Sequence, residues 1–116
     1  MSCFIPGMAG QQGIRIRAKI ELFGPGRGGR SIPLRGSFRA SHNFGDSDSR
    51  EMDWGVLEFP SGVFLMPGQT REMELTLAMR PGLEEILTPG REWRIQEGHR
   101  HIGRGVVLQV LQKTRR

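Results

Sequence analysis

The chain has one cysteine, Cys3, among its 116 residues. A lone thiol cannot close an internal disulfide, so nothing here points to an oxidising compartment. No stretch approaches the roughly 18 consecutive apolar residues of a membrane-spanning helix. The opening residues, MSCFIPGMAGQQG, have neither the basic start nor the apolar core of a secretory signal. A cytoplasmic protein without a membrane partner is the expectation. Internal repeats and low-complexity blocks are also missing. Helical candidates are nearly absent: only Leu83–Leu87 qualifies, and it is too short to be stable alone. No P-loop (G-x-x-x-x-G-K-S/T) occurs, so GTP binding by this chain alone is not expected.

Acidic residues are missing from both ends. Residues 1–45 carry seven Lys or Arg against Glu21 alone, and residues 98–116 carry five basic residues and no acid. The middle, 46–97, has eleven acids against five Arg. If the first and last strands lie side by side, the ends join into one basic face suited to phosphates or an acidic protein surface. The competing reading is an ordinary solvated exterior. Fifteen of the seventeen basic residues are Arg, which forks onto phosphate oxygens better than Lys.

What is abundant is period-two alternation broken by Gly and Pro. Ile14, Ile16, Ala18, Ile20 and Leu22 face one way and Arg15, Arg17, Lys19 and Glu21 the other, as in a half-buried strand. Ser31–Phe44 reads as one strand or two short ones. Trp54–Phe59 alternates and stops at Pro60-Ser61-Gly62, and Val63–Met66 is a short apolar run before Pro67-Gly68. Met73, Leu75, Leu77 and Met79 form the inner face of the next strand. Trp93 and Ile95 share a face of another.

The last strand follows a Glu97-Gly98 turn. Strict alternation puts Val106, Leu108 and Val110 on one face and Val107, Gln109 and Leu111 on the other. Gly103 and Gly105 within it imply a bulge, a barrel corner or a close backbone approach. Phe38, Trp54 and Trp93 read as core residues, since their strands place them among apolar neighbours. Short strands between regular turns point to an all-β fold, and basic first and last strands favour a closed antiparallel barrel, which leaves no exposed edge. A 116-residue chain is one domain, long enough to bury about two thirds of its unfolded surface. We expect an arm at 1–13, a barrel at 14–112 and a basic tail at 113–116.

Several motifs suggest chemistry and lack its context. Gly24–Gly29 fits G-x-G-x-x-G after a strand, yet extended residues follow where a dinucleotide loop needs a helix N-terminus. Asp46 and Asp48 are too few oxygen ligands for a calcium loop. His99 and His101 are spaced to point the same way, with only His42 as a distant third metal ligand. Cys3 lacks a structured base. No enzyme, no metal and no cofactor is the resulting expectation.

Taken in order, a set of turns resembles the third, C-terminal domain of bacterial translation elongation factor Tu. The carriers are Gly28-Gly29-Arg30, Pro33, Phe38-Arg39, Phe44 with the acidic loop after it, Val56–Phe59 ending at Pro60, Met66-Pro67-Gly68, Glu97-Gly98-His99-Arg100, and Gly103 with Gly105-Val106-Val107. The resemblance spans about residues 14–112. It implies a six-stranded antiparallel closed β-barrel that contacts aminoacyl-tRNA and protein neighbours. Three tRNA-facing places of that family match here. One is the Gly-Gly-Arg loop ending in Arg30. Another is Phe38–His42, with Arg39 and Ser41. The last is the turn holding Glu97, Gly98 and Arg100. Arg104 stands between the two later glycines, where the family has a small residue, and His99 replaces the turn's second glycine.

The resemblance therefore implies a non-catalytic module binding structured RNA of the tRNA type through Arg30, Arg39, Ser41, Glu97, Gly98, Arg100 and Arg104, with Arg15 and Arg17 converging on them. Recognition would rest on charge and shape, because an A-form duplex hides its major groove. Such binding weakens with salt. The alternative is a protein-interaction module of the translation machinery, or a homo-oligomer, with no RNA ligand. A truncated paralogue without retained function is a third reading.

Overall fold

In a computed structural model, Ile14, Ile16, Ala18, Ile20 and Leu22 are all buried, as the alternation demands. The structure describes residues 13–27, 29–45 and 52–114. Cys3, the rest of the arm to residue 12, Gly28, the Asp46/Asp48 pair, Arg115 and Arg116 lie outside the described residues. The strands are β1 (Gly13–Leu22), β2 (Leu34–Arg35), β3 (Ser37–Asn43), β4 (Asp53–Glu58), β5 (Phe64–Leu65), β6 (Thr70–Ala78), β7 (Glu92–Glu97) and β8 (Arg100–Thr114). Six of them close an antiparallel barrel in the order β1-β6-β4-β3-β7-β8, with β8 returning to β1. β2 and β5 form a separate two-stranded ribbon. Among the described residues the one α-helix, α1 (Leu83–Ile86), is the single turn expected there, and it sinks Leu83 into the core with Leu87 just after it.

First and last strands do lie side by side. Strict alternation along β8, however, fails. Opposite β1, Ala18 pairs with Val107, Arg17 with Gln109, Ile16 with Val110 and Arg15 with Gln112. Leu108 and Leu111 are skipped, which are two bulges. Val107 is therefore fully buried and Val110 packs against the core, three residues on rather than two. A third irregularity skips Ile102, since Ile95 pairs with Gly103 and Gln96 with His101. Each bulge tightens the local twist that a small barrel needs.

Gly103 and Gly105 are close-approach positions. A Cβ on Gly103 would stand 2.4 Å from the Glu21 carbonyl oxygen, and one on Gly105 would stand 2.4 Å from the Trp93 ring. Trp93 lies across the sheet on its partner Gly105 and stacks on Phe44 at 5.1 Å between ring centroids. Trp54 departs from expectation. It is 45% exposed, because Gly55, Leu57 and Phe59 take the inward parity of their strand. Phe38 is half-buried and only Trp93 of the three is true core.

Gly105→Ala should lower stability by about 1–3 kcal/mol, because the ring must shift in a packed interior. Urea unfolding should show a lower midpoint at unchanged slope. Gly26→Ala, whose Cβ would meet nothing within 4 Å, should stay within about 0.5 kcal/mol of the parent.

Candidate functional site

Gly29 is held against the end of β1 by its N–H, which donates to the Gly24 carbonyl at 3.0 Å. A Cβ there would overlap the Phe23 carbonyl oxygen at 2.1 Å, so only glycine fits. A 3-10 turn, Pro25–Arg27, occupies the loop before it, and extended residues follow. No helix N-terminus stands there to hold a pyrophosphate. The next residue, Arg30, crosses to the β7–β8 turn and ion-pairs with Glu97 at 2.7 Å. Its guanidinium also stands 5.1 Å from the Phe38 ring centroid. From the same turn, Arg100 donates to the Gly29 carbonyl at 2.5 Å. Gly98 supplies the positive φ of +59° that the two-residue turn requires.

The three segments singled out in the sequence thus meet at one place. Two cross-links, Arg30 to Glu97 and Arg100 to Gly29, join the first loop to the β7–β8 turn, and β3 is brought in by its pairing with β7 and by Phe38 beneath Arg30. Arg30 is the organiser of this corner rather than an open cation.

Along β3, alternation sends Ala40 and His42 inward and Arg39 and Ser41 outward. Ser41 is the partner of Trp54 on β4 and of Gln96 on β7, and Gln96 is the partner of His101 on β8. Trp54, Ser41, Gln96 and His101 therefore form one transverse row on the outer face. Arg39 lies diagonally across from Trp54, with its guanidinium 4.3 Å from the indole centroid. It has no carboxylate partner among the described residues. Gln96 is buried despite facing outward and accepts from Asn43 at 3.1 Å.

Other expected members fall elsewhere. Arg15 and Arg17 do not converge on this corner. They ion-pair with Glu74 and Glu72 on β6, and β1 and β6 lie across the ring from β3 and β7. The expected uninterrupted basic face is broken for the same reason, since acids of the middle segment lie beside bases of the first. Arg104 sits one row away, bridging Glu21 at 3.1 Å and Glu92 at 2.8 Å. It lines a cavity of about 310 Å³ with Asn43, Trp93, Arg94 and His101. Among the described residues, no three His, Cys, Asp or Glu side chains come together as a metal site.

Sequence reasoning missed Trp54 as a surface residue. The signal was present in its parity, opposite to that of Leu57 and Phe59. It also left the setting of His42 undescribed. His42 is fully buried, and its Nδ1 accepts the Trp93 indole N–H at 3.0 Å. Burial drives its pKa from 6.5 down to about 4, partly opposed by a backbone contact to Gly55. An imidazolium would also turn Nδ1 into a donor facing a donor. No protein-family model matches the chain.

These facts set a pH dependence. Between about pH 6.5 and 4 the unfolded chain holds the His42 proton and the barrel does not. Stability therefore falls as pH falls through that window, by on the order of 3 kcal/mol in all. Urea unfolding from pH 7 to 4 should show this loss. His42→Phe should flatten that part of the profile, while lowering stability throughout by leaving the Trp93 N–H unpaired.

Proposed function

We propose that the chain is a non-catalytic binding module, related to the third domain of elongation factor Tu, that takes structured RNA of the tRNA type. One observation carries this reading: three segments far apart in sequence, chosen only for their resemblance to tRNA-facing places, meet at one corner of the barrel. Cross-links from Arg30 to Glu97 and from Arg100 to Gly29 tie two of them together, and strand pairing of β3 with β7 brings in the third. Arg39, and Arg100 through whatever donors its bond to Gly29 leaves, are the phosphate-binding candidates there. Arg30 and Glu97 hold the turn in place, Gly98 shapes it and Ser41 offers a hydroxyl beside it. Arg104, bridged to two carboxylates, contributes little to such a site.

Pairing of so many arginines within the fold sets the expected strength. With Arg39 and Arg100 as the main phosphate contacts, log K should fall against log salt with a slope of about −2, shallower than for a fully basic face. An Arg39→Ala/Arg100→Ala variant should bind tRNA at least about tenfold more weakly in filter binding at low salt. Parental affinity in that variant, with its near-ultraviolet spectrum unchanged, would remove the assigned corner. No tRNA binding by the parent would remove the RNA reading altogether.

A different observation favours the protein-partner reading. Phe64 and Met66 are 45% and 46% exposed on one side of the β2–β5 ribbon, and Ile32, just before β2, is 62% exposed. Large apolar side chains exposed on and beside this short ribbon suit a protein surface or a second copy of the chain. Sedimentation velocity over a wide concentration range should then show self-association, and Phe64→Ser should abolish it. A concentration-independent monomer would rule out the second copy.

A further inference from the structure

Trp54 is unusual for a barrel tryptophan. It projects from the outer face of β4, and the preceding residue, Met52's neighbour Asp53, is by contrast buried and ion-paired to Arg80. The indole is thus fixed from below by an anchored strand start. Beside it Arg39 lays its guanidinium over the ring, with no hydrogen-bond or carboxylate partner among the described residues. Several other arginines on the barrel are matched to acids, as in Arg15–Glu74, Arg17–Glu72 and Arg104–Glu92. Here a planar cation and a large aromatic surface are left to solvent together.

We propose that Trp54 and Arg39 form a stacking platform for a single unpaired nucleobase, with the edge of the Arg39 guanidinium holding a neighbouring phosphate. The inference rests on the RNA reading above and narrows its ligand class. In an A-form duplex every base except the two terminal pairs is covered by its neighbours, so an indole on an outer sheet face has no base plane to meet along the helix. Only a nucleotide outside the stack, in a loop, a bulge or a single-stranded end, presents one. The platform lies on β3 and β4, beside the corner where Arg100 projects. The fitting RNA is therefore a duplex with an unpaired nucleotide next to it. Ser41, the cross-strand partner of Trp54, offers a hydroxyl for the base edge. Stacking of this kind tolerates any base, so little sequence preference is expected.

The test uses two probes on the full chain at low salt: a blunt-ended RNA duplex, and the same duplex with a four-uridine single-stranded end. The parent should bind the second about tenfold more tightly than the first. Binding should quench a part of the tryptophan emission that Trp54→Phe lacks, while buried Trp93 stays unquenched. Trp54→Ala should bind both probes alike. Arg39→Ala should lose affinity for both, and more for the probe with the single-stranded end. Equal binding of the two probes by the parent would overturn the platform and leave the RNA reading standing. Failure of both probes to bind the parent would overturn both readings, and would leave the exposed indole to a protein partner.

Discussion

The barrel depends on how closely β8 can approach the backbone of β1 and the ring of Trp93. At Gly103 the space for a side chain is filled by the Glu21 carbonyl, and at Gly105 by the indole. A side chain at either place would push β8 away from one of its two neighbours, and a barrel with one seam forced apart is an open sheet with two edges. Trp93, held under Gly105, also presents its N–H to His42 and its face to Phe44. The closing strand, the buried polar pair and the aromatic stack are thus parts of one packing arrangement.

Much of this was legible in the sequence. The inward faces of β1 and β6 follow from alternation alone, because those strands are regular along their length. β8 was not, since three residues, Ile102, Leu108 and Leu111, have no partner on one side. Bulges arise where two twisted strands must close a ring, a constraint that belongs to the whole sheet and leaves no mark on local hydropathy. Trp54 was misplaced for a different reason. Chemical type was allowed to outweigh parity, although Gly55 and Leu57 already marked which side of the strand faces in.

The corner built by Arg30, Glu97, Arg100 and Gly29 was legible as a set of turns. What could not be read was which charges would find partners. Segment by segment the chain is basic, acidic, basic, and that suggests separated surfaces. Antiparallel pairing of β1 with β6 mixes them, setting Arg15 and Arg17 against Glu74 and Glu72. Exposed pairs of this kind contribute little to stability. Their larger effect is to lower the local potential on that side, so that what charge remains uncompensated is carried by a few residues such as Arg39.

The joining of β1 to β8, from Gly13 to Thr114, also has a kinetic side. Its contacts are the most distant in the chain, and loops this long close late in folding. Until β8 docks, β1 has one open edge and β7 another. The β1 edge carries Arg15, Arg17 and Lys19 against Glu21, whereas the β7 edge carries Arg94 between Glu92 and Glu97. Like charges along an unpaired edge repel the same edge of a second molecule. The basic excess of β1 thus guards the half-formed barrel against pairing with its own kind, whatever the finished surface binds.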